Sequence, residues 1–304
     1  GYLVFLKPLL LLFNLEEIYF LNQIFQSLLL IAVIVGMVKR HKEKYAICYG
    51  LAFVFLVPVV MPMSLSLSLC FYMYLITNLV QLRYHDRWKE KKQYVYVFLI
   101  VGMITSYIDF LTYPIVTLGM PLVMYFVLEE ETWKQSIKKT AGYSVAWGVG
   151  YIGMWMSKWI LASIILKENI LLDAGNTLAQ RTDAITYDSR ILSFLSVLWY
   201  NMKMYKAMPY ILIVVALVVT VAVLIIKYPT GLKFKEILIK CIPFMIIACM
   251  PFAWYGVALN HSGEHYMFTF RALIVTVFAG SCMLMQLFNC KKEEDEGTRL
   301  SEKG

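Results

Sequence analysis

Met208-Pro-Tyr-Ile-Leu-Ile-Val-Val-Ala-Leu-Val-Val-Thr-Val-Ala-Val-Leu-Ile-Ile226 carries no charged side chain. As a helix it rises roughly 28 Å, close to the hydrocarbon thickness of a bilayer. Eight further apolar stretches lie at roughly 18–38, 46–62, 65–82, 94–109, 111–128, 141–164, 238–259 and 268–289. Hydrophobic residues make up 60% of the chain and charged ones only 16%, with a mean hydropathy of +0.67, so a water-soluble fold could not hide its apolar surface. Long unbroken apolar runs, without the period-two alternation of a membrane barrel, point to helices. The expectation is an all-α, polytopic transmembrane helical bundle of about nine spans, with interfacial helices on its outer face.

The connections set the orientation. Twenty of the 28 Lys and Arg fall in alternate connections and in the tail after Cys290, among them Lys39, Arg40, Arg83, Arg87, Lys134, Lys138 and Lys240. The positive-inside rule makes that side, and the C-terminus, cytoplasmic, which predicts a multi-pass membrane protein. Because the net charge of +8 is dispersed over short loops, it encodes topology and predicts no nucleic-acid partner. Residues 1–290 read as one transmembrane domain and 291–304 as a charged cytoplasmic tail. The chain opens on Gly1, and a missing N-terminal segment is expected. On the outer side, 171–185 and 191–205 are apolar but interrupted by charges, Arg181 among them, and suit helices lying on the surface. Lys158, between Trp155 and Trp159, reads as a snorkelling cation in an aromatic belt. The six cysteines form no C-x-x-C pair, so neither a disulfide nor a zinc site is expected.

Two hairpins are too short for a full crossing. Between Gln93 and Glu129 each leg has about 16 residues, or roughly 24 Å. Irregular backbone at that depth needs protein cover or a water-filled recess, so a funnel open to the outside is predicted at the turn that carries Tyr107 and Tyr113, with Asp109 on its floor. Asp109 is either a reactive carboxylate or the cap of the following helix.

Before the last span stands Asn260-His-Ser-Gly-Glu-His-Tyr-Met-Phe-Thr-Phe-Arg271. Ser262 is a natural N-cap, and Glu264 and Arg271 would share a face of the continuous helix that follows. Arg271, roughly 13 Å below the cap, should face the bundle, where it either grips a phosphate or pairs with Glu264 or Asp109. His261 and His265 match an inverted zinc-protease spacing, but Gly263 and a cap at Ser262 should keep the two imidazoles apart. With Asp109 they offer ligands for a divalent metal ion, the cofactor to be considered.

The opening Gly1-Tyr-Leu-Val-Phe-Leu-Lys-Pro, the turn Asp109-Phe-Leu-Thr-Tyr-Pro and the string Asn260-His-Ser-x-x-His265-x-x-Phe-Thr-x-Arg271 resemble bacterial multispanning proteins similar to glycosyltransferases of the C superfamily. The resemblance implies a polyprenyl-phosphate-linked sugar donor drawn from the membrane lipid and a glycan or other acceptor at the outer face. Arg271, Glu264, Tyr107, Tyr113 and Arg181 would then bind substrate, with Asp109, His261 and His265 as catalytic groups. A flippase or transporter of lipid-linked substrates, and a surface-polysaccharide polymerase or ligase, are the alternatives.

Overall fold

A computed structural model describes residues 3–108, 113–182, 189–206 and 208–288. Among them the fold is all-α, and six helices are long and apolar enough to cross a membrane. After the short α1 (Leu3–Leu9) comes α2 (Leu15–Lys39), whose first turn is closed by a capping box of Asn14 and Glu17. Next are α3 (Glu43–Val54), α4 (Leu65–Glu90), α5 (Tyr94–Ile108), α6 (Val116–Leu128) and α7 (Trp133–Leu166). Two helices, α8 (Leu171–Thr182) and α9 (Arg190–Lys203), fill the stretch read as interfacial, and α10 (Met208–Lys227) and α11 (Phe234–Val257) follow. The last run is broken into α12 (Leu259–Glu264), α13 (Tyr266–Thr269), a 3-10 turn at Phe270–Leu273 and α14 (Ile274–Leu284).

Nine full-length spans are not confirmed. α3, α5 and α6 have 12, 15 and 13 residues, and among the described residues six runs reach crossing length, the sixth being Tyr266–Leu284, which α13, the 3-10 turn and α14 make together. α3 stops at Val54 instead of running to residue 62, because Val57 adopts a left-handed φ of 57° directly before Pro58. α7 instead extends to 34 residues, roughly 51 Å, well beyond the 141–164 expected.

Short α6 is the centre of the bundle. Every residue from Val116 to Val127 is buried, enclosed by α4, α5, α7, α11 and α14. An all-round apolar helix is stable only in such a sheath. Small residues admit the neighbours: Gly119 receives Val275 of α14, while Gly102 and Gly150 let α5 and α7 meet backbone to backbone. The start of α6 is held beside the start of α4 by the Tyr113 hydroxyl, which donates to the Leu67 carbonyl. Their far ends meet through His85 and Glu129, so α4 and α6 run in the same direction. α10 is the opposite case, with none of its residues from Pro209 to Lys227 buried in the protein, as for a helix solvated by lipid.

Candidate functional site

Arg271 is the most unusual side chain at the end of the bundle away from the Lys/Arg-rich loops. It is only 4% exposed and forms no ion pair among the described residues. Its Nη1 donates to the Met267 carbonyl at 2.9 Å, its guanidinium lies 4.7 Å over the Phe270 ring, and its Nε finds no hydrogen-bond partner among the described residues. The phenols of Tyr113, Tyr205 and Tyr210 are its electrostatic neighbours. A buried guanidinium among rings and hydroxyls, with no carboxylate beside it among the described residues, has the chemistry to receive an anion.

The chain reaches this arrangement by breaking the helix that the sequence predicted to be continuous. Ser262 is not an N-cap. It lies inside α12, and its carbonyl accepts from Asn201 Nδ2 of α9 at 3.2 Å. Asn201 Oδ1 in turn accepts from the Thr269 hydroxyl at 2.8 Å, and the Thr269 carbonyl accepts from the Tyr255 hydroxyl at 2.9 Å. These bonds occupy the backbone groups that a helix break would otherwise strand. Arg271 therefore projects from a 3-10 turn, and Glu264, exposed on the preceding helix, shares no continuous face with it.

The other predicted residues divide. Tyr113 is fully buried and lies within the electrostatic reach of Arg271. Tyr107 is 41% exposed and lies beneath the Lys158 ammonium, 5.3 Å from its ring centroid. Lys158 donates to the Ser106 carbonyl at 2.6 Å and so ties α7 to the end of α5. Arg181, half-buried on α8, neighbours Gln180, whose carbonyl accepts from Asn260 of α12 at 2.9 Å. His261 is buried and His265 exposed, yet their rings stand 4.6 Å apart at 60°. Gly263 thus does not separate them, because α12 runs unbroken across it and an i, i+4 pair shares a face. No group of three or more His, Cys, Asp or Glu side chains gathers as a metal site among the described residues. Asp109 and the tail 291–304 lie outside the described residues.

Among the described residues the densest ionic network is at the Lys/Arg-rich end. His85 Nε2 donates to Glu129 Oε1 at 2.9 Å, and Lys89 Nζ pairs with Glu129 Oε2 at 2.7 Å. Because an ionised carboxylate only accepts, the proton sits on Nε2 and the Tyr94 hydroxyl donates to Nδ1. Burial alone would raise the Glu129 carboxyl, but Lys89 and His85 outweigh it and hold the group below its ordinary range. Beside it, Lys139 pairs with Glu131 and donates to the Tyr125 hydroxyl at 2.7 Å. A polar cavity of about 90 Å³, lined in part by Glu129, Glu130, Glu131, Ser136 and Lys240, opens next to this cluster. The run Glu129-Glu130-Glu131 and His85, one turn past an apolar span, are the sequence signals that mark it.

No protein-family model, curated protein or solved structure matches the chain.

Proposed function

We propose that this protein handles a lipid-linked phosphate substrate in a bacterial cytoplasmic membrane, as a glycosyltransferase of the polyprenyl-phosphate-sugar type. The observation behind the reading is Arg271, a buried guanidinium without a carboxylate partner among the described residues. A sugar leaving a phosphate carrier builds negative charge on that phosphate, and a preorganised guanidinium stabilises it. His261 and His265, whose rings touch across one helical turn, are assigned to assist, and Asp109 is assigned the proton of the acceptor hydroxyl. The bond from the sugar to the phosphate oxygen breaks, the bond to the acceptor oxygen forms, and the acceptor's proton passes to the carboxylate. In this orientation the C-terminus is cytoplasmic and transfer takes place at the outer face.

The test is acceptor-dependent release of label from radiolabelled polyprenyl phosphate sugars by the protein in liposomes. Transfer that falls at least about tenfold in Arg271→Lys, which keeps the charge and loses the bidentate grip, supports the reading. No transfer with any donor counts against it.

A second reading, flipping or transport of a lipid-linked substrate, is favoured by the polar face of α4. Ser68, Tyr74, Asn78, Gln81 and His85 are all buried and follow one another along the helix from one end of the bundle to the other. Movement of labelled lipid-linked phosphate between leaflets without transfer to any acceptor would select it.

A further inference from the structure

At the Lys/Arg-rich end a cavity of about 380 Å³ lies where the start of α3, the 228–233 connection, the start of α11 and the end of α14 meet. Lys44 of α3 and Lys240 of α11 both line it, with Thr230 and Gly231 from the connection and Gln286 just past α14. Leu232, Met285 and Phe288 supply an apolar wall. Two contacts fix the frame. Gln286 Nε2 donates to the Tyr45 hydroxyl at 2.9 Å, tying the end of α14 to α3, and Pro229 pairs with Phe288 as an isolated antiparallel bridge.

The two lysines bring like charge to one recess. Neither Lys44 nor Lys240 forms an ion pair among the described residues. The Lys44 nitrogen stands 4.9 Å from the Tyr45 ring centroid, and burial, followed by the charges of Lys240 and Lys42, holds this ammonium below its ordinary range. A smaller cavity that shares Lys240 and Gln286 is lined by Glu129, Glu130 and Glu131. Those carboxylates do not neutralise the pair: Glu129 is engaged by Lys89 and His85, Glu131 by Lys139, and Glu130 forms no ion pair with either lysine. Unscreened cations facing one space disfavour each other until an anion joins them.

We propose that Lys44 and Lys240 hold the phosphate group of an anionic ligand, a lipid headgroup or a free phosphate, in this cavity. A phosphate spreads its charge over several oxygens, so both ammonium groups can reach it at once, and lysine grips it as a point charge without a fixed geometry. The wall of Leu232, Met285 and Phe288 suits the apolar part of a phosphate ester. Cations beside spanning helices are placed where anionic headgroups lie. The site is at the opposite end of the bundle from Arg271 and independent of the transferase reading. An occupant would clasp α3, α11 and α14.

The experiment measures the Tm of the detergent-solubilised full chain in two arms: sodium phosphate against sodium chloride at equal ionic strength, and micelles carrying phosphatidylglycerol against phosphatidylcholine. A rise of about 2–4 °C in either arm is expected, and the arm that gives it identifies the source of the phosphate. Lys44→Gln and Lys240→Gln should each remove the rise, and Lys44→Arg should keep it. Lys235→Gln, on the same α11 but outside the cavity lining, should also keep it. In chloride alone Lys44→Gln should match or exceed the unmodified Tm, because it relieves the repulsion, so a fold lost in that variant would itself contradict the account. No rise in either arm overturns the proposal, and an equal loss in Lys235→Gln overturns it in favour of diffuse surface charge. A rise that emerges only when Glu293, Glu294, Asp295 and Glu296 are all replaced by amides would make the chain's own tail the occupant, and the proposal would fall.

Discussion

A Cβ placed on Gly102 of α5 would overlap the carbonyl oxygen of Trp147 in α7, and one placed on Gly150 would overlap that of Leu99. The two helices are pressed together at reciprocal glycines, with backbone as the obstacle on both sides. Gly102→Ala and Gly150→Ala should each lower stability by about 1–3 kcal/mol, because backbone cannot rotate away as a side chain would. Gly142, Gly148 and Gly153 lie on the same α7 with open space around the Cβ position, and their alanine variants should be neutral or slightly more stable. Thermal unfolding in detergent separates the two groups. An unchanged Tm for Gly102→Ala would refute the close approach.

Gly119 of α6 faces the γ-methyls of Val275 on α14, one of them 2.7 Å from a built Cβ. Here the obstacle is a side chain, so the damage should be reversible. Gly119→Ala alone should cost about 1–3 kcal/mol, and Val275→Ala in the same chain should restore part of it. Additive losses in that double-mutant cycle would show that the two sites do not touch.

Glu129 supplies a pH dependence of definite sign. Burial would raise its carboxyl, yet Lys89 and His85 hold it below the ordinary 4.5. A group whose folded-state pKa is depressed adds stability above its unfolded pKa and loses it as pH falls through the folded value. The Tm should therefore decline on acidification below about pH 4.5, and Glu129→Gln should flatten that decline. Titrating Tm for both proteins checks it. Parallel curves would remove Glu129 from the account.

Arg271 separates stability from activity. A buried charge with no counter-ion among the described residues contributes little to folding, so Arg271→Met should leave the Tm unchanged or raise it. The same variant should abolish lipid-linked phosphate transfer or binding. A Tm drop of several degrees would instead mark Arg271 as half of a structural pair.

Much of the helical architecture was readable from the sequence. Helical class, the apolar runs, the deficit of the 94–128 hairpin and the two helices between Leu171 and Lys203 all follow from periodicity, length and charge. Two kinds of information were not local. The end of α3 depends on one left-handed residue, Val57, and a hydropathy window averages over it. The helix break before Arg271 depends on Asn201, 68 residues from its partner Thr269, and no motif links them. The same holds for His85 and Glu129, 44 residues apart. Asn78, Gln81 and His85 were legible in principle, as polar residues at helical spacing within an apolar run, but only the packing shows that they face inward.

The sheath around α6 bears on how the chain is made. At 13 residues, this helix emerges from the ribosome too short to hold a transmembrane position by its own hydrophobic length. Its final wall, α14, is synthesised almost 150 residues later, so during translation its resting place is provisional. Any product truncated before Ile274 lacks that wall and presents the Gly119 face of α6 uncovered, a mark by which membrane quality control could recognise unfinished copies.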